Sequence, residues 1–120
     1  MNVQKIIGIL NRFASEREWE QFHSPKNLSM ALAGETAELL EIFQWMTEEQ
    51  SRQAADQPRK AQAIREEIAD IQIYLLRLAD HFKIDLEQAV LEKIAINAIK
   101  YPVEKSRGNA IKYSEREGED

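Results

Sequence analysis

The stretch PRKAQAIREEIADIQIYLLRLADHF, residues 58–82, decides the fold. Within it Ile64, Ile68, Ile71, Leu75, Leu78 and Phe82 recur at alternating steps of four and three, the heptad-like seam of a helix that packs against other helices. Pro58 suits the first helical turn, where its missing N–H is no loss, and Asp56 and Gln57 punctuate before it. Working outward, Val3, Ile6, Ile7, Leu10, Phe13 and Ala14 fall on one face of a first helix. Ser24 followed by Pro25 is a cap and a first-turn proline, which start a second helix running to about Met46. Thr47 and Gln50 have the spacing of a capping box and open a short connecting helix. Asp85 and Gln88 start a further long helix through Ala89, Ile94 and Ala98 to Tyr101, ended by Pro102. From Val103 the apolar period fades, and an extended or partly disordered tail is expected. No strand-length alternation competes. The expectation is an all-α protein: a four-helix core bundle over residues 1–102, completed by dimerisation, with an irregular tail over 103–120.

The composition narrows the function classes. In 120 residues there are 16 basic and 21 acidic side chains, a formal charge of −5, and no cysteine. That length fits one domain. The lack of cysteine excludes a disulfide scaffold, a thiolate zinc site, an iron–sulfur cluster and a cysteine nucleophile. The acidic balance argues against a nucleic-acid polymer as partner, since such binders neutralise phosphates with a basic surface. The apolar stretch of the first ten residues is too short and interrupted for a signal peptide. No run approaches the about 20 apolar residues that cross a bilayer. A cytoplasmic protein with no membrane partner is expected.

Two pairs of acids stand where a solvated face would not put them. At about 100° per residue, Leu28, Leu32, Leu39, Ile42 and Met46 form the apolar stripe of the second helix. Glu35 falls inside that stripe and Glu38 at its margin. Glu67 and Asp70 flank the stripe of Ile64, Ile68, Ile71 and Leu75. Each pair is spaced i, i+3 and points one way. Converging carboxylates need positive charge, from a structural salt-bridge network or from a hard divalent cation such as Mg²⁺ or Mn²⁺. A di-iron site is disfavoured, because Glu-x-x-His on two helices is required and His23 and His81 do not supply it.

Glu35-x-x-Glu38 followed by Glu67-x-x-Asp70 resembles the paired acidic motif of the MazG-like all-α nucleotide pyrophosphohydrolases. The stretches EREWEQFH (16–23), FQW (43–45), Tyr74-Leu75, YPV (101–103) and SRG (106–108) resemble the dCTP pyrophosphatase branch of that family. The similarity runs from about residue 3 to Tyr113. The resemblance implies Mg²⁺-assisted hydrolysis of a nucleoside triphosphate, dCTP or a modified dCTP, between the α- and β-phosphates, in a dimer or dimer of dimers. Glu35, Glu38, Glu67 and Asp70 would hold the metal. Glu38, at the stripe margin, is the candidate general base. Many family sequences carry a further Glu where this chain has Gly34, so no ligand is expected from that position.

Lys93, Asn97 and Lys100 share one face of the last long helix by their i, i+4, i+7 spacing, which also describes an ordinary solvated face. By resemblance Lys93 and Asn97 contact metal-bound phosphates or the sugar, Arg107 clamps a phosphate, and Lys112 and Tyr113 close over the ligand, the tail acting as a lid. Trp19, Phe22, Trp45 and Tyr74 are core candidates by type. Yet Trp19, Phe22 and His23 lie between two helices, where large structural rings are less expected. By resemblance Trp19, His23, Trp45 and Tyr74 enclose a pyrimidine. Gly34, in mid-helix, signals either close approach by a neighbour or a tolerated weak point. A non-catalytic helical interaction module and a metal-dependent phosphohydrolase of another metabolite are the rival readings; the aromatic set and the SRG tail favour a nucleoside triphosphate over the latter.

Overall fold

The structure, a computed structural model, describes residues 1–111. The chain is helical, with no strand among the described residues: α1 (Val3–Glu16), α2 (Pro25–Phe43), α3 (Glu48–Arg52), α4 (Pro58–His81), α5 (Leu86–Lys100) and α6 (Val103–Ser106), with short 3-10 turns at Glu20–Phe22 and Ala54–Asp56. The helix starts follow local chemistry. Ser24 Oγ accepts from the Asn27 N–H and Pro25 occupies the first turn of α2. Thr47 and Gln50 form a reciprocal capping box on α3. The Asp85 carboxylate accepts from the Gln88 N–H at the start of α5.

The chain divides into two compact units, Met1–Ile84 and a second beginning at Asp85. In the first, α4 packs along α2 and also against α1. Its core is small: Ile7 and Ala14 from α1, Leu28 from α2, Ala54 before α4, and Leu76 and Ala79 from α4. Leu76 and Ala79, rather than the predicted seam residues Leu75 and Leu78, lie deepest in α4. With α1 and α2 both packed on it, the buried direction of α4 is set by two neighbours and not by one seam. Ile68 and Phe82, nominal seam positions, are more than half exposed.

Two helices end on left-handed residues that are not glycine. At Glu18 (φ 54°) the Trp19 N–H reaches back to the Ala14 carbonyl at 2.9 Å, and at Lys83 (φ 54°) the Ile84 N–H reaches Ala79 at 2.9 Å. Both are the reversal that closes a helix C-terminus by satisfying its last carbonyls. The first aims the chain from α1 into the segment that carries Trp19, Phe22 and His23.

The second unit contains α5 and α6. Two expectations need correction here and in α2. The chain after Pro102 is not irregular throughout, since Val103–Ser106 makes one helical turn capped by Pro102. Helix α2 ends at Phe43, three residues before Met46, with the Gln44 N–H bonded to the Leu40 carbonyl and a turn through Met46. Lys112 and Tyr113 lie outside the described residues. Among the described residues no helix is long and apolar enough to cross a membrane.

Candidate functional site

Helices α2 and α4, packed together, bring three of the four singled-out acids to one point. Glu35, Glu38 and Glu67 each offer a carboxylate oxygen, and these oxygens lie within 4.8 Å of one another. Glu35 and Glu67 are half-buried and Glu38 is exposed. The Oε2 atoms of Glu35 and Glu67 are buried with no hydrogen-bond partner. None of the ion pairs among the described residues engages these acids; Arg12–Glu16, Arg52–Glu49 and Lys83–Asp80 are surface pairs within single helices or their ends. Crowded acceptors with no donor favour a proton on one of them. The Glu67 carboxyl is accordingly pushed up to about 7, chiefly by its hydrogen bond with Glu35, then by burial, by a hydrogen bond with Glu38, and by the charges of both neighbours.

This donor set fits a hard divalent cation. Asp70 is outside the trio. It lies one helical turn beyond Glu67 and lines a neighbouring cavity of about 360 Å³.

That cavity is bounded by Leu10, Phe13 and Ala14 of α1, Trp19 and His23 of the connecting segment, and Asp70, Ile73, Tyr74 and Arg77 of α4. Trp19 stands edge-on to Phe13, ring centroids 5.7 Å apart. The Arg17 guanidinium lies 3.5 Å from the centre of the Phe13 ring. Asn27 Nδ2 donates to the Phe22 carbonyl at 3.0 Å and Gln21 Nε2 to the Glu18 carbonyl at 2.9 Å, which tie the connecting segment to its flanks. Arg77 NH1 donates to Asn11 Oδ1 at 2.6 Å, and NH2 lies 3.2 Å from His23 Nδ1. Burial and then the Arg77 charge hold the His23 imidazole below its ordinary pKa. Arg77, Asn11 and Ile73 were not singled out in the sequence, and Phe13 only as part of the apolar face of the first helix. A helical arginine reads as solvated, and its partners lie 66 and 54 residues away.

The remaining candidates are placed as follows. Trp45 is 88% exposed and lines a different cavity, of about 420 Å³, with Glu41, Met46, Gln53 and Lys60 among its neighbours. It is not a core ring of this chain. Lys93, Asn97 and Lys100 lie on α5, and Arg107 caps α6 through its backbone N–H to the Val103 carbonyl at 3.1 Å. Among the described residues, no atom beyond its own helix backbone and its chain neighbours comes within 4 Å of a Cβ built on Gly34, which leaves, of the two readings, the tolerated weak point or approach by a ligand.

Helices that present a donor-free cluster of carboxylates beside an aromatic cavity make a candidate cation and ligand site in an all-α protein. Residues 31–115 match the MazG-like family model, and the chain belongs to the MazG-like family. It is 52% identical over 103 residues to dCTP pyrophosphatase 1 of Bos taurus and 47% identical over 103 residues to dCTP pyrophosphatase 1 of Homo sapiens. Each match covers 86% of this chain and 61% of the relative, so the chain spans about three-fifths of the length of these curated relatives. A crystal structure of a pyrophosphatase from Archaeoglobus fulgidus DSM 4304 superposes with a TM-score of 0.79 at 39% identity, covering 85% of this chain and 94% of that one.

Proposed function

We propose that this chain hydrolyses a nucleoside triphosphate between the α- and β-phosphates to the monophosphate and pyrophosphate, and that its substrate is dCTP or a modified dCTP. The observation that carries this reading is the trio Glu35, Glu38 and Glu67, with buried oxygens that no donor among the described residues reaches, beside an aromatic cavity. The relatives named dCTP pyrophosphatase support the choice of nucleotide. The role that follows is cleaning of the nucleotide pool in the cytoplasm.

Glu35, Glu38 and Glu67, with Asp70 one turn beyond, would hold Mg²⁺, or Mn²⁺ in its place. A cation bound there would neutralise the triphosphate and the leaving pyrophosphate. Glu38 is the exposed carboxylate of the trio, so it is the one placed to accept a proton from the attacking water. Trp19, His23 and Tyr74 flank the base. Lys93, Asn97, Lys100 and Arg107 are the residues proposed for phosphates and sugar. The working unit is a homodimer or a dimer of dimers. Trp45 lines a different cavity of its own chain, so its contact with the base requires that assembly.

Pyrophosphate release from a panel of canonical and modified deoxynucleoside triphosphates, with Mg²⁺ and with a chelator, tests the reading. Release from cytosine nucleotides that stops on chelation is expected; release from none overturns it. Glu38→Gln is expected to lower kcat by about 100-fold or more, the usual scale of a general base, with KM changed far less. Equal losses in kcat and in affinity would remove the base assignment.

A further inference from the structure

The guanidinium of Arg77 has a consequence for the cavity that its neighbours lack. Arginine only donates hydrogen bonds. Its NH2 lies 3.2 Å from His23 Nδ1, so that nitrogen must be the acceptor and the ring proton of a neutral imidazole must sit on Nε2. Arg77 is itself held in place, since NH1 donates to Asn11 Oδ1 at 2.6 Å. One ring donor is then left on His23, which lines the cavity. His23 Nε2–H forms no hydrogen bond among the described residues, and Arg77 Nε is buried without a partner.

We infer that Arg77 is a specificity-positioning residue: by fixing His23 as an Nε2–H donor, it tunes the cavity to a pyrimidine that presents an acceptor at ring position 3. This rests on the reading that the cavity takes the base. The chemistry discriminates between pyrimidines. Cytosine accepts at N3 and O2, which the fixed Nε2–H donor of His23 complements. Uracil and thymine carry a hydrogen at N3, which meets a donor with a donor. A neutral His23 free to move its proton to Nδ1 would present Nε2 as an acceptor and admit them. Buried donors left facing a donor are the costly mismatch by which such sites reject near-isosteric ligands.

The test combines a spectrum with kinetics on the full chain. Nitrogen-15 imidazole shifts are recorded for the wild type, Arg77→Met, Arg77→Lys and Asn11→Ala, each checked for its helical circular dichroism. The wild type is expected to show a protonated Nε2 and a bare Nδ1 on His23, and Arg77→Met a mixture of tautomers. The ratio of kcat/KM for dCTP over dUTP is expected to fall by about tenfold in Arg77→Met, the loss lying in KM for dCTP and the gain in KM for dUTP. Arg77→Lys, which keeps a cationic donor, retains most of the ratio. Asn11→Ala, at an exposed position, loosens the same guanidinium and lowers the ratio by a few-fold even if Arg77→Met does not fold. A protonated Nδ1 in the wild type overturns the inference. So does an unchanged ratio in both Arg77→Met and Asn11→Ala, or in Asn11→Ala alone should Arg77→Met not fold. A wild type that cleaves no nucleotide overturns the proposed function and with it the selection of the base, while the imidazole spectrum still decides whether Arg77 sets the tautomer.

Discussion

Glu67 carries the proton that the proposed cation would displace. Its carboxyl is pushed up to about 7 from an ordinary 4.5, chiefly by its hydrogen bond with Glu35, then by burial and by Glu38. A raised acid pKa means that the folded state binds a proton that the unfolded chain releases. The associated stability is therefore complete below about pH 4.5 and drains away as the pH rises through 7. With a chelator present, the melting temperature is expected to fall between pH 5 and 8, and Glu67→Gln, which is neutral at any pH, should flatten that slope. Mg²⁺ should raise the melting temperature more at pH 8 than at pH 6, since the cation replaces a proton. An equal slope in wild type and variant would remove Glu67 from the cluster. Trp45 makes the contrasting case. It is 88% exposed, so Trp45→Ala should leave chain stability within about 0.5 kcal/mol and raise KM for a cytosine nucleotide several-fold. An unchanged KM would detach Trp45 from the base.

At the scale of helices, what the sequence shows depends on whether the cause is local. The starts of α2, α3 and α5 were readable because Ser24, Thr47 and Asp85 cap their own helices within three residues. Glu35 was readable because a carboxylate in an apolar stripe conflicts with its surroundings. The deepest residues of α4 were not, since two neighbours together choose Leu76 and Ala79. The left-handed reversals at Glu18 and Lys83 also escaped, as neither carries the glycine that usually marks one. Arg77 escaped for a third reason: its role exists only once Asn11 and His23 are brought beside it. Gly34 turns such a reading into a measurement. A helical glycine costs about 1 kcal/mol relative to alanine, and a Cβ at this position meets nothing within 4 Å. Gly34→Ala should therefore raise the melting temperature by about 4 °C. A fall instead would mean that a group from outside the isolated chain fills that space.

For the molecule as a whole, the question is what covers α5. No residue of this helix is buried, and Leu91, Ile94 and Ile99 are 61%, 57% and 82% exposed, with Val90 and Ile96 near half. At about 100° per residue, these five side chains point around most of the helix circumference. The face that carries Lys93, Asn97 and Lys100 is left to polar groups, and a helix apolar over most of its surface calls for packing partners. Fifteen residues in water are also at the lower limit for a helix to persist without packing. The proposed assembly of two or more copies supplies that packing, and apolar faces on several sides of α5 favour more than one neighbour. Sedimentation should then give a dimer or a tetramer, with a melting temperature that rises with protein concentration. Leu91→Glu combined with Ile99→Glu keeps helix propensity and places two charges on that surface. The variant is expected to sediment as a smaller species and to melt lower. A wild-type monomer, with a melting temperature independent of concentration, would show that the apolar surface of α5 is not what joins the copies.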